Sequence, residues 1–512
     1  MLCIIPVPIE KVLFKLTRKL NSIIQMKSPF NTMYRVFFLF LFIVLPSISL
    51  AEATSDLPEI DLKHHFIGYF ALIITVLAYI GAMTEDLHQM CKAKPMLLGS
   101  ALIWFAIFIY YWFTYNTTTP VIPAFESNLT AYSELFLFIT VSMAFLNAMT
   151  ERGVFDALRI VLANNQYSYR QLFWITGVLA FLMSTVISSL TVGLMMGYLI
   201  LSIGKSQPRF IGLAGLNAVI ACNAGGTLSP LGGISSFFVW QQNMLQFTDF
   251  FKLTIPCIVN FLVPASIMYF SVSRDTPSIP KEKIILKRGS KRIIFIFMLS
   301  VMITIVSDEI LHMPTVAGMM FGLTMLLFVS YYLNKSENKF IKVNHFSTEH
   351  EYKNHIDSHK GFDVFKCIAG VDWDTLLFFY GAMMTVGALD FLGYLNAMEH
   401  YFLTELNPTI ANILIGLTSS TVDNGTLMFA VLKMNPHFPT GQWLLLTLTL
   451  GVGGSLLALG SAPGLHVLGL MKEHLKEGEG YTFTLHFRWM PAILLGFFAS
   501  IATLYLMNGG KF

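Results

Sequence analysis

The sequence predicts an all-α, polytopic membrane protein built from two inverted-topology repeats, each with a re-entrant helical hairpin and a broken transmembrane helix. Three observations predict it. Of the 512 residues, 55% are hydrophobic and only 12% charged, with a mean hydropathy of +0.64, whereas a soluble domain carries about a quarter charged residues. Polar breaks interrupt apolar runs at matching places in the two halves: Ser-Ser-Leu-Thr-Val-Gly within Ile187 to Leu194, and Ser-Ser-Thr-Val-Asp-Asn-Gly-Thr within Ser419 to Leu427. One orientation of the chain places most of the Lys and Arg residues on the cytoplasmic side.

Residues 1–51 read as a signal or targeting segment. Lys11, Lys15, Arg18, Lys19, Lys27 and Arg35 precede an apolar run from Val36 to Leu50, and small-residue sites follow at Ser49-Leu50-Ala51 and Ala51-Glu52-Ala53. The stretch before Met33 is long for a signal, which makes Met26 and Met33 alternative starts. The remainder, 52–512, reads as a single transmembrane domain that begins outside the cytoplasm.

Crossing the hydrocarbon core takes about 20 residues of helix. Runs near 66–83, 96–115, 134–149, 254–272, 293–306, 315–333, 375–393 and 489–506 fit single spans. Four more, 172–200, 210–240, 409–433 and 443–471, are too long for one span and are interrupted by Gly, Ser, Asn or Pro. Read as hairpins, 172–200 and 409–433 have arms of about 14 residues, or roughly 20 Å, which pass the midplane. The runs 210–240 and 443–471 then cross once with unwound middles.

Charge decides in favour of the hairpins. They leave Lys92 and Lys94, Arg152, Arg159 and Arg170, Lys205 and Arg209, the cluster from Arg274 to Arg292, the loop 334–374, and Lys472, Lys476 and Arg488 in the cytoplasm. Lys63, Lys252 and Lys511 lie outside. A single crossing at 172–200 would send Arg274 to Arg292 outward, against the positive-inside rule. The first hairpin thus enters from the cytoplasm and the second from outside, so that 96–272 and 375–506 read as inverted repeats whose tips meet near the midplane.

Several function classes are excluded. A net charge of +3 with no basic stripe argues against nucleic acid. Cys3, Cys91, Cys222, Cys257 and Cys367 are scattered and read as free thiols. His345, His350, His355 and His359 match no zinc spacing and read as part of a solvated loop. Glu85, Asp86, His88 and the Asp308-Glu309 pair read as solvated charges. No zinc His-Glu motif exists, and no partner histidine backs a serine nucleophile. The chain therefore reads as neither an enzyme nor a cofactor binder.

Chemistry concentrates in the four breaks, and matching breaks in two halves point to a transporter's binding site. The first half offers Ser188, Ser189 and Thr191 at the hairpin tip, then Asn223, Thr227, Ser229, Ser235 and Ser236. The second offers Ser419, Ser420, Thr421, Asp423, Asn424 and Thr426, then Ser455 and Ser461. These short oxygen ligands suit a hard monovalent cation such as Na⁺, and glycines such as Gly225, Gly226, Gly453 and Gly454 free backbone carbonyls to join them. Asp423, an intramembrane carboxylate, is functional by default and can alternate a cation with a proton; a helix-end cap is the structural alternative. His466 reads as a titrating group or a satisfied core histidine, and Asp390 as a residue of the outer edge.

At these residues the chain resembles the NhaD-type sodium/proton antiporters of the ion-transporter superfamily, which also contains citrate and dicarboxylate carriers. The resemblance runs from about His64 to Tyr505. It rests on Glu85-Asp-Leu-His88 with Lys94-Pro95, Asn147-Ala-Met-Thr-Glu-Arg-Gly-Val154, Asn223-Ala-Gly-Gly226 with Ser229-Pro230, Asp372-Trp-Asp-Thr375 with Phe379-Tyr-Gly381, Val422-Asp-Asn424 and Gly460-Ser-Ala462.

It implies exchange of cytoplasmic Na⁺ or Li⁺ for external H⁺ by alternating access, in a bacterial inner membrane, by a homodimer serving pH homeostasis. It also places Asn223, Ser235, Ser236, Ser419, Asp423, Asn424 and Ser461 at polar positions associated with transport. The family usually has Asp-Asn where this chain has Ser188-Ser189, Asp where it has Gly233, and Ser where it has Ala458. Asp423 is left as the one carboxylate, and one proton against one cation is electroneutral. A superfamily carrier of another small solute, such as a carboxylate, and a transport-deficient relative are the other expectations.

Overall fold

In a bilayer every backbone polar group must find its partner within its own segment or inside the protein, and helix is the regular structure throughout the described residues. The structure is a computed structural model that describes residues 62–84, 90–165, 167–204, 207–277, 286–343, 362–401, 406–458, 460–476, 478–509 and 512. The targeting segment, Glu85, Asp86, His88 and the four histidines of the 334–374 loop lie outside them.

Helices α1 (Phe66–Met83), α2 (Ala93–Tyr115) and α3 (Val121–Glu151) are followed by a short α4 (Val154–Asn164). The first hairpin is α5 (Tyr169–Ser184) and α6 (Ser189–Ile203); the first broken helix is α7 (Pro208–Thr227) and α8 (Ile234–Gln241), and α9 (Thr254–Tyr269) closes the half. The second half runs through α10 (Ser290–Leu311), α11 (Thr315–Val343), α12 (Val364–Ala369), α13 (Trp373–Phe391) and α14 (Tyr394–Glu399). Its hairpin is α15 (Pro408–Thr418) and α16 (Asn424–Met434), its broken helix α17 (Thr440–Gly453) and α18 (Ala462–His474), and α19 (Phe483–Met507) ends it.

All four long runs break where the polar residues stand. The predicted loop 334–374 is shorter than expected, because α11 continues to Val343 and α12 occupies part of the rest. The stretch holding Arg152 and Arg159 is also not wholly loop: α4 starts after Gly153, whose φ of 74° ends α3. Among the described residues, eight helices are long and apolar enough to cross a membrane, which makes the chain multi-pass.

The core sits on α7 and α17. From Phe210 to Thr227 and from Gln442 to Gly453, both helices are buried on every side, the mark of a helix enclosed by others. Small residues allow the closeness, as small residues do between membrane helices. Gly451 lies so near Thr227 that a Cβ there would fall 2.0 Å from its Oγ1.

Packing is duplicated. The pair α1 with α2 is matched by α10 with α11, and α2 with α13 by α11 with α3. The pair α5 with α7 is matched by α15 with α17, and α6 with α18 by α16 with α8. Helices α3 and α13, α7 and α17, and α9 and α19 pair with each other. The duplication begins at α1 and α10, upstream of the starts near 96 and 375 expected from the breaks alone, because the spans before the hairpins carry no polar signature. The inner arm of each hairpin packs on the outer piece of the other half's broken helix.

Candidate functional site

The second hairpin turns where hydroxyl side chains offer the backbone alternatives to continuing the helix. Ser419 Oγ, fully buried, donates to the Leu450 carbonyl of α17 (3.1 Å) and to Gly416 (2.7 Å), which ties the tip to the broken helix. Asp423 then takes extended backbone and caps α16. Its Oδ2 accepts from Gly425 N (3.0 Å), Thr426 N (3.2 Å) and Thr426 Oγ1 (3.5 Å). Among the described residues no hydrogen bond reaches Oδ1. One oxygen caps the helix, as the structural alternative expects, and the other is left out of the cap.

Asp423 lines a cavity with Tyr79 of α1, Lys92 at the start of α2, Thr375 and Phe378 of α13, and Ser461 at the start of α18. Lys92, expected in a cytoplasmic loop, is buried. Its ammonium lies 5.3 Å from the centre of the Phe378 ring and close enough to act on the Asp423 carboxylate. Tyr79 lies beside Thr426 and within electrostatic reach of the same carboxylate. Sequence reasoning missed both. Tyr79 sits in an ordinary apolar span, and Lys92 counted only as a topology signal.

Asn223 joins the two broken helices. Its Nδ2 donates to Ser455 Oγ (2.8 Å) and Ser461 Oγ (2.9 Å). Ser461 Oγ also accepts from Gly464 N (3.4 Å) as the cap of α18. Both its lone pairs are thereby engaged, so Ser461 here offers a hydroxyl proton to the cavity rather than a free oxygen. Behind it, His486, also missed, lies within hydrogen-bond distance of the Ser455 carbonyl (2.8 Å) and the Tyr481 hydroxyl (2.7 Å).

The first hairpin tip is arranged differently. Ser189 N donates to the Gly232 carbonyl (2.9 Å), and Ser236 Oγ to Thr227 (3.3 Å). The hydroxyls of Thr191 and Ser235 are buried and find no hydrogen-bond partner among the described residues. Ser188, Ser189, Thr191, Ser235 and Ser236 are not among the residues lining the Asp423 cavity, nor are Asn223, Asn424 and Ser419. At Gly233, a Cβ would come within 2.8 Å of the Gly226 carbonyl oxygen, so the backbone itself fills the space a side chain would need. No cluster of three or more His, Cys, Asp or Glu side chains able to hold a metal ion occurs among the described residues.

His466 lies one turn into α18. Its Nδ1 is 2.8 Å from the Ala462 carbonyl and its Nε2 is 3.3 Å from Asp372 Oδ2. Asp372 caps α13 through Thr375 N (3.2 Å) and Thr375 Oγ1 (2.7 Å). Asp390 lies within electrostatic reach of Lys433.

Known proteins share this chain's sequence over most of its length. The family model described as "Citrate transporter" matches residues 68–334 and 358–451. The chain is 43% identical over 469 residues to the "Na(+)/H(+) antiporter NhaD" of Vibrio cholerae, covering 91% of this chain and 97% of that one. It is 41% identical over 483 residues to the protein of the same name from Halomonas elongata, covering 92% and 95%. Among solved structures, the Alcanivorax borkumensis YdaH transporter superposes with a TM-score of 0.44 at 11% identity, covering 77% of this chain and 90% of that one.

Proposed function

Because this chain belongs to the NhaD family of Na⁺/H⁺ antiporters, we propose that Asp423 is the carboxylate that Na⁺ and H⁺ occupy in turn. The protein is a secondary transporter, not an enzyme, and exchanges Na⁺ for H⁺ across a membrane. Li⁺ as a second cargo, the bacterial inner membrane and a homodimer complete the reading.

The observation that carries it is the division of labour at Asp423. A carboxylate spent wholly on capping α16 could not also take a cargo, but here the cap uses Oδ2 alone. Oδ1 is left for a cation or a proton. The cavity beside it is bounded by the last residues of α1, Lys92 and the first residues of α13, the ends that the basic loops assign to the cytoplasm. The reading is thus a cytoplasm-facing state of an alternating-access cycle. Cation binding leaves the carboxylate charged and proton binding neutralises it, so one excludes the other, and with a single carboxylate the exchange is one for one and electroneutral. Asn223, which also holds Ser455, positions Ser461 at the edge of the site, and Lys92 balances its charge while it is empty.

Acridine-orange dequenching in everted vesicles from an antiporter-deficient strain tests the reading. Addition of Na⁺ or Li⁺ gives dequenching with the wild type and none with Asp423→Asn. A well-expressed wild type without a response refutes exchange, and a fully active Asp423→Asn refutes the role of Asp423.

A further inference from the structure

We propose that His466 and Asp372 form a second proton-binding site, distinct from Asp423, whose protonated state ties α18 to α13 beside the cavity. The proposal rests on the transport reading for the identity of that cavity.

The hydrogen bonds place the proton. The Ala462 carbonyl can only accept, so His466 Nδ1 at 2.8 Å carries a hydrogen. A neutral ring with Nδ1 protonated has a bare lone pair on Nε2. That atom lies 3.3 Å from Asp372 Oδ2, and both Asp372 oxygens already accept from Thr375. Two acceptors would then face each other. The contact is attractive when Nε2 also carries a proton, giving an imidazolium against a carboxylate, the stronger class of hydrogen bond.

Position gives that proton its consequence. Leu465, next to His466, and Thr375, which Asp372 caps, both line the cavity of Asp423. The pair therefore bridges two helices that both contribute residues to the lining of that cavity. With the proton in place, α18 is held to α13; without it, lone pair and carboxylate repel and the bridge opens. No covalent step is involved: one proton from the cytoplasm adds to Nε2 and returns there.

The other charges near the pair have identified neighbours. Asp374 accepts from Ala93 N (3.2 Å), Lys92 and Asp423 line the cavity beyond Leu465, and Glu151 at the end of α3 meets Cys367. Helix α6, packed along α18, carries no charged residue, and its Tyr198 meets His474 edge to face. Helix α7 carries Arg209 alone, in its first turn.

The sign follows. A proton-rich cytoplasm loads the pair and slows exchange, and an alkaline one frees the two helices. The test is Na⁺-driven proton flux in proteoliposomes of the full chain, measured against pH for the wild type, His466→Gln, Asp372→Asn and the double variant. His466→Gln extends activity toward acid by about one pH unit, the smaller end of what a contacting charge does, with Na⁺ half-saturation at alkaline pH unchanged. The double variant matches either single one, because they share one proton. Superimposed profiles for His466→Gln and an active wild type overturn the proposal, as does a double variant that shifts twice as far.

Spin labels on α13 and α18 read the same transition without transport. Their separation is shorter in acid than in alkali for the wild type and independent of pH in His466→Gln; a separation that ignores pH in the wild type also overturns it. Asp372→Asn removes a helix cap as well, so His466→Gln decides if that variant fails to assemble. An inactive wild type counts against the transport reading instead, and the spin labels still judge the pair.

Discussion

Asn223→Ala removes the one side chain that reaches from α7 to both serines of the second broken helix. Two hydrogen bonds are lost, to Ser455 at 2.8 Å and Ser461 at 2.9 Å. A buried neutral hydrogen bond nets about 1 kcal/mol in soluble proteins and about 0.6 kcal/mol on average between membrane helices. The loss is therefore about 1–2 kcal/mol, or, for a chain of this length, a fall of about 1–2 °C in the unfolding temperature of the detergent-solubilised protein. Function suffers separately, because Ser461 caps α18 and lines the cavity of Asp423. Were all 1.4 kcal/mol of a tenfold change expressed at the site, the Na⁺ concentration for half-maximal exchange would rise about tenfold. Thermal unfolding followed by intrinsic fluorescence, with transport titrations on the same preparation, reads both numbers. An Asn223→Ala protein that unfolds at the wild-type temperature and keeps its Na⁺ dependence would show that Asn223 does not hold the broken helices together.

Two further outcomes are expected. Gly451→Ala puts a methyl carbon 2.0 Å from Thr227 Oγ1, whose own bond to Asn223 O at 2.7 Å resists displacement; the overpacking costs about 1–3 kcal/mol, and a variant as stable as the wild type refutes the α7–α17 contact. Burial, with Glu151 beside it, pushes the Cys367 thiol up to about 12, so almost no thiolate forms at neutral pH; maleimide leaves Cys367 of the native protein unmodified there and labels it after unfolding, and rapid native labelling contradicts the packing of α12.

What was legible in the sequence is what departs from a uniform apolar background. The breaks at Ser188, Gly232, Asp423 and Gly454 stood out because a carboxylate, and backbone unwound at Gly and Ser, are costly in hydrocarbon and are kept only where protein or a cavity surrounds them. The hairpins followed from the basic loops, since Lys and Arg report the side of the membrane directly. Tyr79, Lys92 and His486 were not legible, for the opposite reason. Each is ordinary for its segment, and it acquires a role only when a helix distant in the chain brings Thr426, Asp423 or Ser455 beside it. The two hairpin tips differ in sequence at the capping residue, and the fold follows that difference: Ser188 makes no side-chain cap bond to α6, whereas Asp423 caps α16 through one carboxylate oxygen. What the spacing did not encode is that Ser189 N is held by the Gly232 carbonyl.

The cross-packing of α6 with α18 and of α8 with α16 has a consequence for how the chain is made. Synthesis runs from the N-terminus, yet α6 meets its partner only after Ala462–His474 has been inserted, and α8 waits for Asn424–Met434. Until then the first hairpin packs on α7 of its own half, while α6 and α8 each keep a face that only the second half covers. The two halves therefore close on each other late, and a chain stopped before its second broken helix leaves both faces without the helices that cover them in the finished fold.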